Sequence, residues 1–232
     1  MPRAGKAGRY HHGDLRTALI ETAIGLIAER GVRDFSVAEA SRRLGVAVSA
    51  PYAHFADRDQ LLAAVTVRAY ERLLAEVRPA MDAFRTPADR LAAMAGGYVR
   101  FAATNRPLFE VLYEAGLDKA SHPEIEVAEQ PLADALLDCV RALTASSASQ
   151  ADGLATAIEA AARGFALLLL DGDFGEGPQA VERAAEQAAG ATMALVEGRH
   201  LLTRPTRQQP SHGPNGAGVT RPKGDEPGIT GC

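Results

Sequence analysis

Residues 36–55, SVAEASRRLGVAVSAPYAHF, restrict the fold more than any other stretch of this chain. Ser36 followed three residues later by Glu39 is a capping box, in which the hydroxyl accepts from a backbone N–H of the first turn and the glutamate reaches back. Val37, Ala40 and Leu44 then recur on one helical face. Gly45 supplies the left-handed backbone that stops this short helix and starts a tight turn. A second short helix is expected from Ala47 or Val48. Pro51 falls in or just beyond its first turn, where the missing N–H has no intrahelical partner anyway. Helical geometry points Val46, Ala50, Pro51 and Phe55 towards a core, and Ala47, Val48, Ser49, Tyr52 and Ala53 outwards. Two short helices about a glycine turn suit a DNA reader, because the second fits the major groove and offers side chains to base edges.

The rest of the chain carries helical periodicity. Leu15, Leu19, Thr22, Ala23 and Leu26 give a first helix one apolar face, with Gly31 as its stop. Asp57, with Gln60 three residues on, caps a fourth helix. Its stripe is Leu61, Leu62, Val65, Ala69 and Leu73, and Pro79 is expected to end it near Arg78. Five further helices are predicted at roughly 87–104, 106–116, 123–145, 150–171 and 178–198. Aromatic residues are only 5% and tryptophan is absent, so β-favouring runs are scarce. The expected fold is all-α with about nine helices and no internal repeat. Residues 1–12 form a flexible basic arm, 13–75 a helix-turn-helix domain and 76–200 a second helical domain. Residues 201–232, rich in Pro and Gly, have too little to bury and are expected to be disordered.

Charge is unevenly spread. Residues 1–60 hold nine Lys and Arg against seven Asp and Glu, whereas 61–198 hold eleven against twenty. The acidic middle is repelled by a polyanion and the N-terminal segment is not. Arg3, Lys6 and Arg9 in the arm suit phosphates or the minor groove, or form an inert tail. Arg42 and Arg43 suit extra phosphate contacts or a solvated helix face. Cys139 and Cys232 show no metal-ligand spacing and fit free thiols in a reducing cytoplasm. The N-terminus lacks a signal-peptide run, and the apolar stretch Phe165–Leu170 is too short to span a bilayer. Neither a membrane partner, a metal nor a cofactor is expected. Nucleophile elbows, HExxH, phosphate loops and calcium loops are missing, which argues against an enzyme. Asp171, Asp173 and Glu176 read as a solvated interhelical loop. The alternatives left open are a helical enzyme or a helical adaptor that does not bind DNA.

These residues together resemble the TetR-type family of one-component regulators. The resemblance rests on YHHGDLR at 10–16, the apolar first helix ending at Gly31, and Ser36 with Ala40, Leu44, Gly45 and Val46. Tyr52, His54 and Phe55, then Asp57, Leu61 and Leu62, complete it. It covers about residues 10–75. The opening and the PYAHF segment are similar to one subgroup with a variant C-terminal sensor. The resemblance implies that Tyr52 contacts phosphate or a thymine methyl. It places His54 and Arg58 at phosphate positions, and Val48 and Ser49 at base-reading positions. Ala47 stands where Ser or Thr is usual, and Pro51 where Leu is common. No Arg, Lys, Asn or Gln lies between Gly45 and Phe55. Readout is therefore expected from Val48 and Ala53 on thymine methyls, one Ser hydroxyl and DNA shape, with phosphate contacts dominating affinity.

A single reader of this size binds weakly, and two related by a two-fold axis read a palindrome. The last two long helices are the candidates for the dimer interface, through Leu154, Ile158, Ala162, Phe165, Leu169, Val181, Ala184 and Ala188. An intramolecular core explains the same stripes. The resemblance further implies an apolar effector cavity between the middle helices, with Met94, Tyr98, Phe101, Phe109, Leu112, Tyr113 and Phe165 as its expected lining; these also suit a plain core. Arg100, Glu110, Glu114 and His122 are candidate polar anchors. The subgroup often has His at the position of Arg163. The expected protein is a ligand-responsive, homodimeric cytoplasmic repressor that a small-molecule effector releases from a double-stranded operator.

Overall fold

The computed structural model describes residues 12–144 and 147–202. The arm residues Arg3, Lys6 and Arg9 and the segment 203–232 lie outside the described residues. Eight α-helices follow in order: α1 (His12–Arg30), α2 (Val37–Leu44), α3 (Arg58–Asp82), α4 (Pro87–Thr104), α5 (Arg106–Glu114), α6 (Pro123–Leu143), α7 (Ala148–Leu170) and α8 (Pro178–Glu197). Two 3₁₀ turns, Ala50–Ala53 and Arg199–Leu201, complete the described chain, and no strand occurs among the described residues.

Local chemistry sets the boundaries. Ser36 Oγ accepts from the Glu39 N–H at 3.2 Å, and Asp57 accepts from the Gln60 N–H at 2.8 Å. The Gln60 side chain in turn accepts from the Ala56 N–H, closing a reciprocal cap. Glu39 does not close its half of the box; it pairs with Arg42 instead. Gly45 has φ +66°, the left-handed conformation that the turn requires. Pro87, Pro107, Pro123 and Pro178 all sit in first turns, where a missing N–H costs nothing.

Two expectations need correction. The second short helix is a single 3₁₀ turn, with Ala50 and Tyr52 donating to the carbonyls three residues back. Pro51 has no N–H to give to Ala47, so the α-helical pattern cannot start there. Conversely, Pro79 does not end α3, which continues to Asp82. Pro79 and Ala75 are both exposed, so the carbonyl left without its N–H partner is solvated.

Helices α1, α2 and the first half of α3 enclose Leu19, Ala23, Leu26, Val37, Ala40, Phe55, Leu61, Leu62 and Val65. Beyond it, α4 is the central helix of the larger domain, packed by α3, α6, α7 and α8. Gly96 and Gly97 permit this crowding: a Cβ at Gly96 would meet the Ala185 carbonyl oxygen at 3.3 Å, and one at Gly97 would meet Val77 at 3.3 Å. Helix α7 is 23 residues long and apolar enough by composition to cross a bilayer, far more than the run Phe165–Leu170 indicated. Here Ala151, Leu154, Ile158, Ala162, Ala166 and Leu169 are buried in the core, facing its neighbours.

Arg58 ties the two parts of the headpiece together. Its Nη2 donates to the Val32 carbonyl at 2.6 Å and its Nε to the Phe35 carbonyl at 3.2 Å. The guanidinium lies 5.1 Å from the Phe35 ring centroid. Arg58→Ala is expected to lower the unfolding free energy by about 1–2 kcal/mol, since two carbonyls lose charge-assisted bonds. Phe101→Ala, at a fully buried ring, is expected to cost about 3–5 kcal/mol. Urea denaturation of both variants measures the difference. An Arg58→Ala protein as stable as the parent would show that the strut contributes nothing.

Candidate nucleic-acid interface and apolar cavity

The turn after α2 presents a continuous exposed face. Val48 and Tyr52 are 55% and 53% exposed, and Ala47, Ser49 and Ala53 are exposed beside them. Pro51 and Phe55 are buried beneath, and Val46 and Ala50 are half-buried. The inward and outward sets expected from helical geometry therefore hold, although the element is a 3₁₀ turn. His54 is half-buried and lines a cleft with Arg16 and Phe55, where the Arg16 guanidinium lies 5.3 Å from the Phe55 ring centroid.

The basic residues around this face are not equally available. Arg42 is largely exposed, although it pairs with Glu39. Arg43 forks onto both carboxylate oxygens of Glu29, one at 2.7 Å, and this bond holds the Glu29 carboxyl below its ordinary range. Arg58, expected at a phosphate, donates instead to the carbonyls of Val32 and Phe35. Of these three guanidiniums, Arg42 has the most surface to offer.

The larger domain encloses a cavity of about 370 Å³ between α3, α4, α5, α6 and α7. Met94, Tyr98, Leu112 and Tyr113 line it as expected. Three expected residues do not. Phe101 is wholly buried in the core, and Phe165 packs against Phe174 at 6.3 Å between centroids. Phe109 stands behind the wall, its ring 5.8 Å from Tyr98 and 5.3 Å from Tyr113, and so braces both. The candidate anchors also lie elsewhere. Arg100 pairs with Glu182 on α8 and Glu110 with Arg106; His122 lies 3.5 Å from Glu124, and none of these lines the cavity.

The polar residues that line the cavity are Tyr70, Tyr98, Tyr113, Glu129, Thr156, Glu159 and Arg163. Tyr70 donates to Glu129 at 3.1 Å, and Lys119 pairs with the same carboxylate. The Tyr98 and Tyr113 hydroxyls share a hydrogen bond. Burial is the largest cause that raises all three tyrosines, so they stay protonated. Glu159 is raised by burial and then by the nearby Glu129 charge. The Arg163 guanidinium stacks 3.6 Å from the Tyr113 ring centroid. Sequence reasoning missed Tyr70, Glu129 and Glu159. The usable signal was a charged or phenolic residue interrupting an apolar helical stripe. In the sequence Arg163 stands out only as a departure from the subgroup pattern.

The residues expected at a dimer interface are mostly spent inside one chain. Leu154, Ile158, Ala162, Leu169, Ala184 and Ala188 are at most 8% exposed, and Phe165 and Val181 are half-buried. They hold α7 and α8 against α4, because the stripe with the larger side chains goes to the nearest core. The outward face of α7 is instead Ala157, Ala161, Gly164, Leu167 and Leu168, and that of α8 includes Gln187, Gly190 and Ala194.

Residues 19–65 match the family model described as bacterial regulatory proteins, tetR family, and residues 91–192 match the tetracyclin repressor-like C-terminal domain. Together they span well over half of the chain. No curated protein matches it. Among solved structures, a protein of unknown function from Rhodococcus sp. RHA1 is 28% identical, with a TM-score of 0.67 over 80% of this chain and 97% of that one. The TetR family regulator PfmR from Thermus thermophilus is 18% identical, with a TM-score of 0.59 over 76% and 97%. AibR, solved with isovaleryl coenzyme A and operator DNA, is 20% identical, with a TM-score of 0.59 over 75% and 96%. Both halves of the molecule thus carry the same signature, and the chain belongs to the TetR family as a DNA-binding transcription regulator and not an enzyme.

Proposed function

We propose that the protein is a cytoplasmic, homodimeric repressor that a small, largely apolar effector releases from a palindromic operator. The observation that carries this reading is that one helix serves both sites. Helix α3 begins at Arg58, beside the exposed turn, and its later residues Tyr70, Leu73 and Val77 line the cavity. An effector that prefers one arrangement of α3 against α4 and α6 shifts the separation of two headpieces, by no more than its differential affinity for the two states. AibR supports the reading in kind, since it was solved with both an acyl thioester and operator DNA.

On DNA, Val48 and Ala53 contact thymine methyls, Ser49 offers one hydroxyl, and Tyr52, His54 and Arg42 contact phosphate. In the dimer, the outward faces of α7 and α8 pack as a four-helix interface about a two-fold axis. Small residues there let the helices approach closely.

Selection from a random duplex pool is expected to return a palindrome whose affinity falls steeply with salt. Tyr52→Ala should weaken binding about tenfold while effector affinity is unchanged. A protein with no salt-sensitive affinity for any duplex would return the chain to a helical adaptor. Sedimentation should show a dimer. Leu168→Glu, at an exposed position of α7, should yield monomers with operator affinity reduced at least ~100-fold, because the second headpiece is no longer tethered. A Leu168→Glu protein that stays dimeric would place the interface elsewhere.

A further inference from the structure

A second groove, of about 440 Å³, runs along another face of α6 from the apolar cavity. Arg78 from α3, Arg85 from the α3–α4 connection and Arg90 from α4 all line it. Three guanidiniums brought together from three segments repel one another unless anions lie between them. The carboxylates within the chain do not fill that role. Among the described residues, Arg78 and Arg85 form no ion pair within 4.0 Å. Arg90 makes one long contact with Asp82, at 3.4 Å, and its Nε is buried with no hydrogen-bond partner. Asp134 and Asp138 also border the groove, but Asp134 already accepts from Gln130 at 2.7 Å and Asp138 faces Arg141 at 4.0 Å. The buried Cys139 thiol borders it too and is raised by burial, so it brings no charge.

We infer that this groove binds the phosphate group of a hydroxylated small molecule, such as a sugar phosphate or nucleotide. Guanidinium forks match phosphate oxygens, and two or three of them are a usual way to hold that group. The remaining space exceeds what a phosphate alone fills and falls in the range of small-molecule sites, about 300–1,000 Å³. Asp134 and Asp138 supply acceptors for hydroxyl donors of the remainder. Pro87, first residue of α4, also lines the groove, so the positive end of that helix adds to the attraction. A bound phosphate would link the end of α3, the start of α4 and α6, and so restrain the helix that the effector cavity and the headpiece share. The site shares no lining residue with the apolar cavity and lies away from the turn that faces DNA.

Titration calorimetry of the full chain in a phosphate-free buffer tests this, with ribose 5-phosphate as the probe beside inorganic phosphate and ribose. Saturable binding is expected for ribose 5-phosphate, weaker binding for inorganic phosphate, and none for ribose. Arg78→Ala and Arg85→Ala alter exposed side chains, and each should weaken ribose 5-phosphate about tenfold with the apo melting temperature unchanged. Asp134→Ala should erase the preference over inorganic phosphate. The proposal is overturned if neither phosphate compound binds saturably, or if the Arg78→Ala, Arg85→Ala double variant binds as well as the parent. Equal affinity for phosphate and ribose 5-phosphate would overturn the hydroxylated remainder.

Discussion

Burial of the apolar stripe of α3 holds the whole architecture together. Leu61, Leu62 and Val65 complete the headpiece core, while Leu73, Val77 and Met81 pack into the larger domain. A 25-residue helix cannot bend freely while side chains along its whole length are locked in one continuous core. Its N-terminal residue, Arg58, is also fastened to the loop between α1 and α2. Motion imposed on one end must therefore appear at the other. This continuity joins a surface suited to a groove of DNA with a cavity suited to an organic molecule.

Much of this was legible in the sequence because local signals act independently of tertiary contacts. Ser36, Gly45 and Asp57 fix helix ends through single hydrogen bonds or a single torsion, and all three act as expected. The outward set Val48, Ser49, Tyr52 and Ala53 was legible for a similar reason: a short turn on a small core leaves few choices about which side faces water. Prolines were read less well. Pro51 prevented an α-helix where one was expected, and Pro79 failed to stop one. For Pro51 the deciding fact was the N–H it could not give to the Ala47 carbonyl, and for Pro79 it was that the freed carbonyl faces solvent, which a string of residues does not contain.

Contacts between helices were the least legible. A stripe such as Leu154, Ile158, Ala162 and Leu169 states that a helix buries one face, but not whether the partner belongs to the same chain. The structure assigns that stripe to the internal core. The cavity has the same origin. Met94, Tyr98, Leu112 and Tyr113 were expected from the family resemblance and the cluster of aromatics, whereas Tyr70, Glu129, Glu159 and Arg163 arrive from helices whose mutual rotation is set by packing. Charges were similarly ambiguous: Arg43 and Arg58 are identical in kind to Arg42, yet one forks onto Glu29 and the other holds two carbonyls.

The brevity of the 3₁₀ turn at Ala50–Ala53 limits how much nucleotide identity each headpiece can register. A single tight turn reaches few adjoining base pairs, and small aliphatic groups distinguish bases only coarsely. In the proposed dimer, telling one promoter from the surrounding genome then falls to repetition, with the same brief message checked twice at a fixed spacing. Drift in half-site sequence should accordingly be forgiven more readily than insertion or deletion of a nucleotide between the halves.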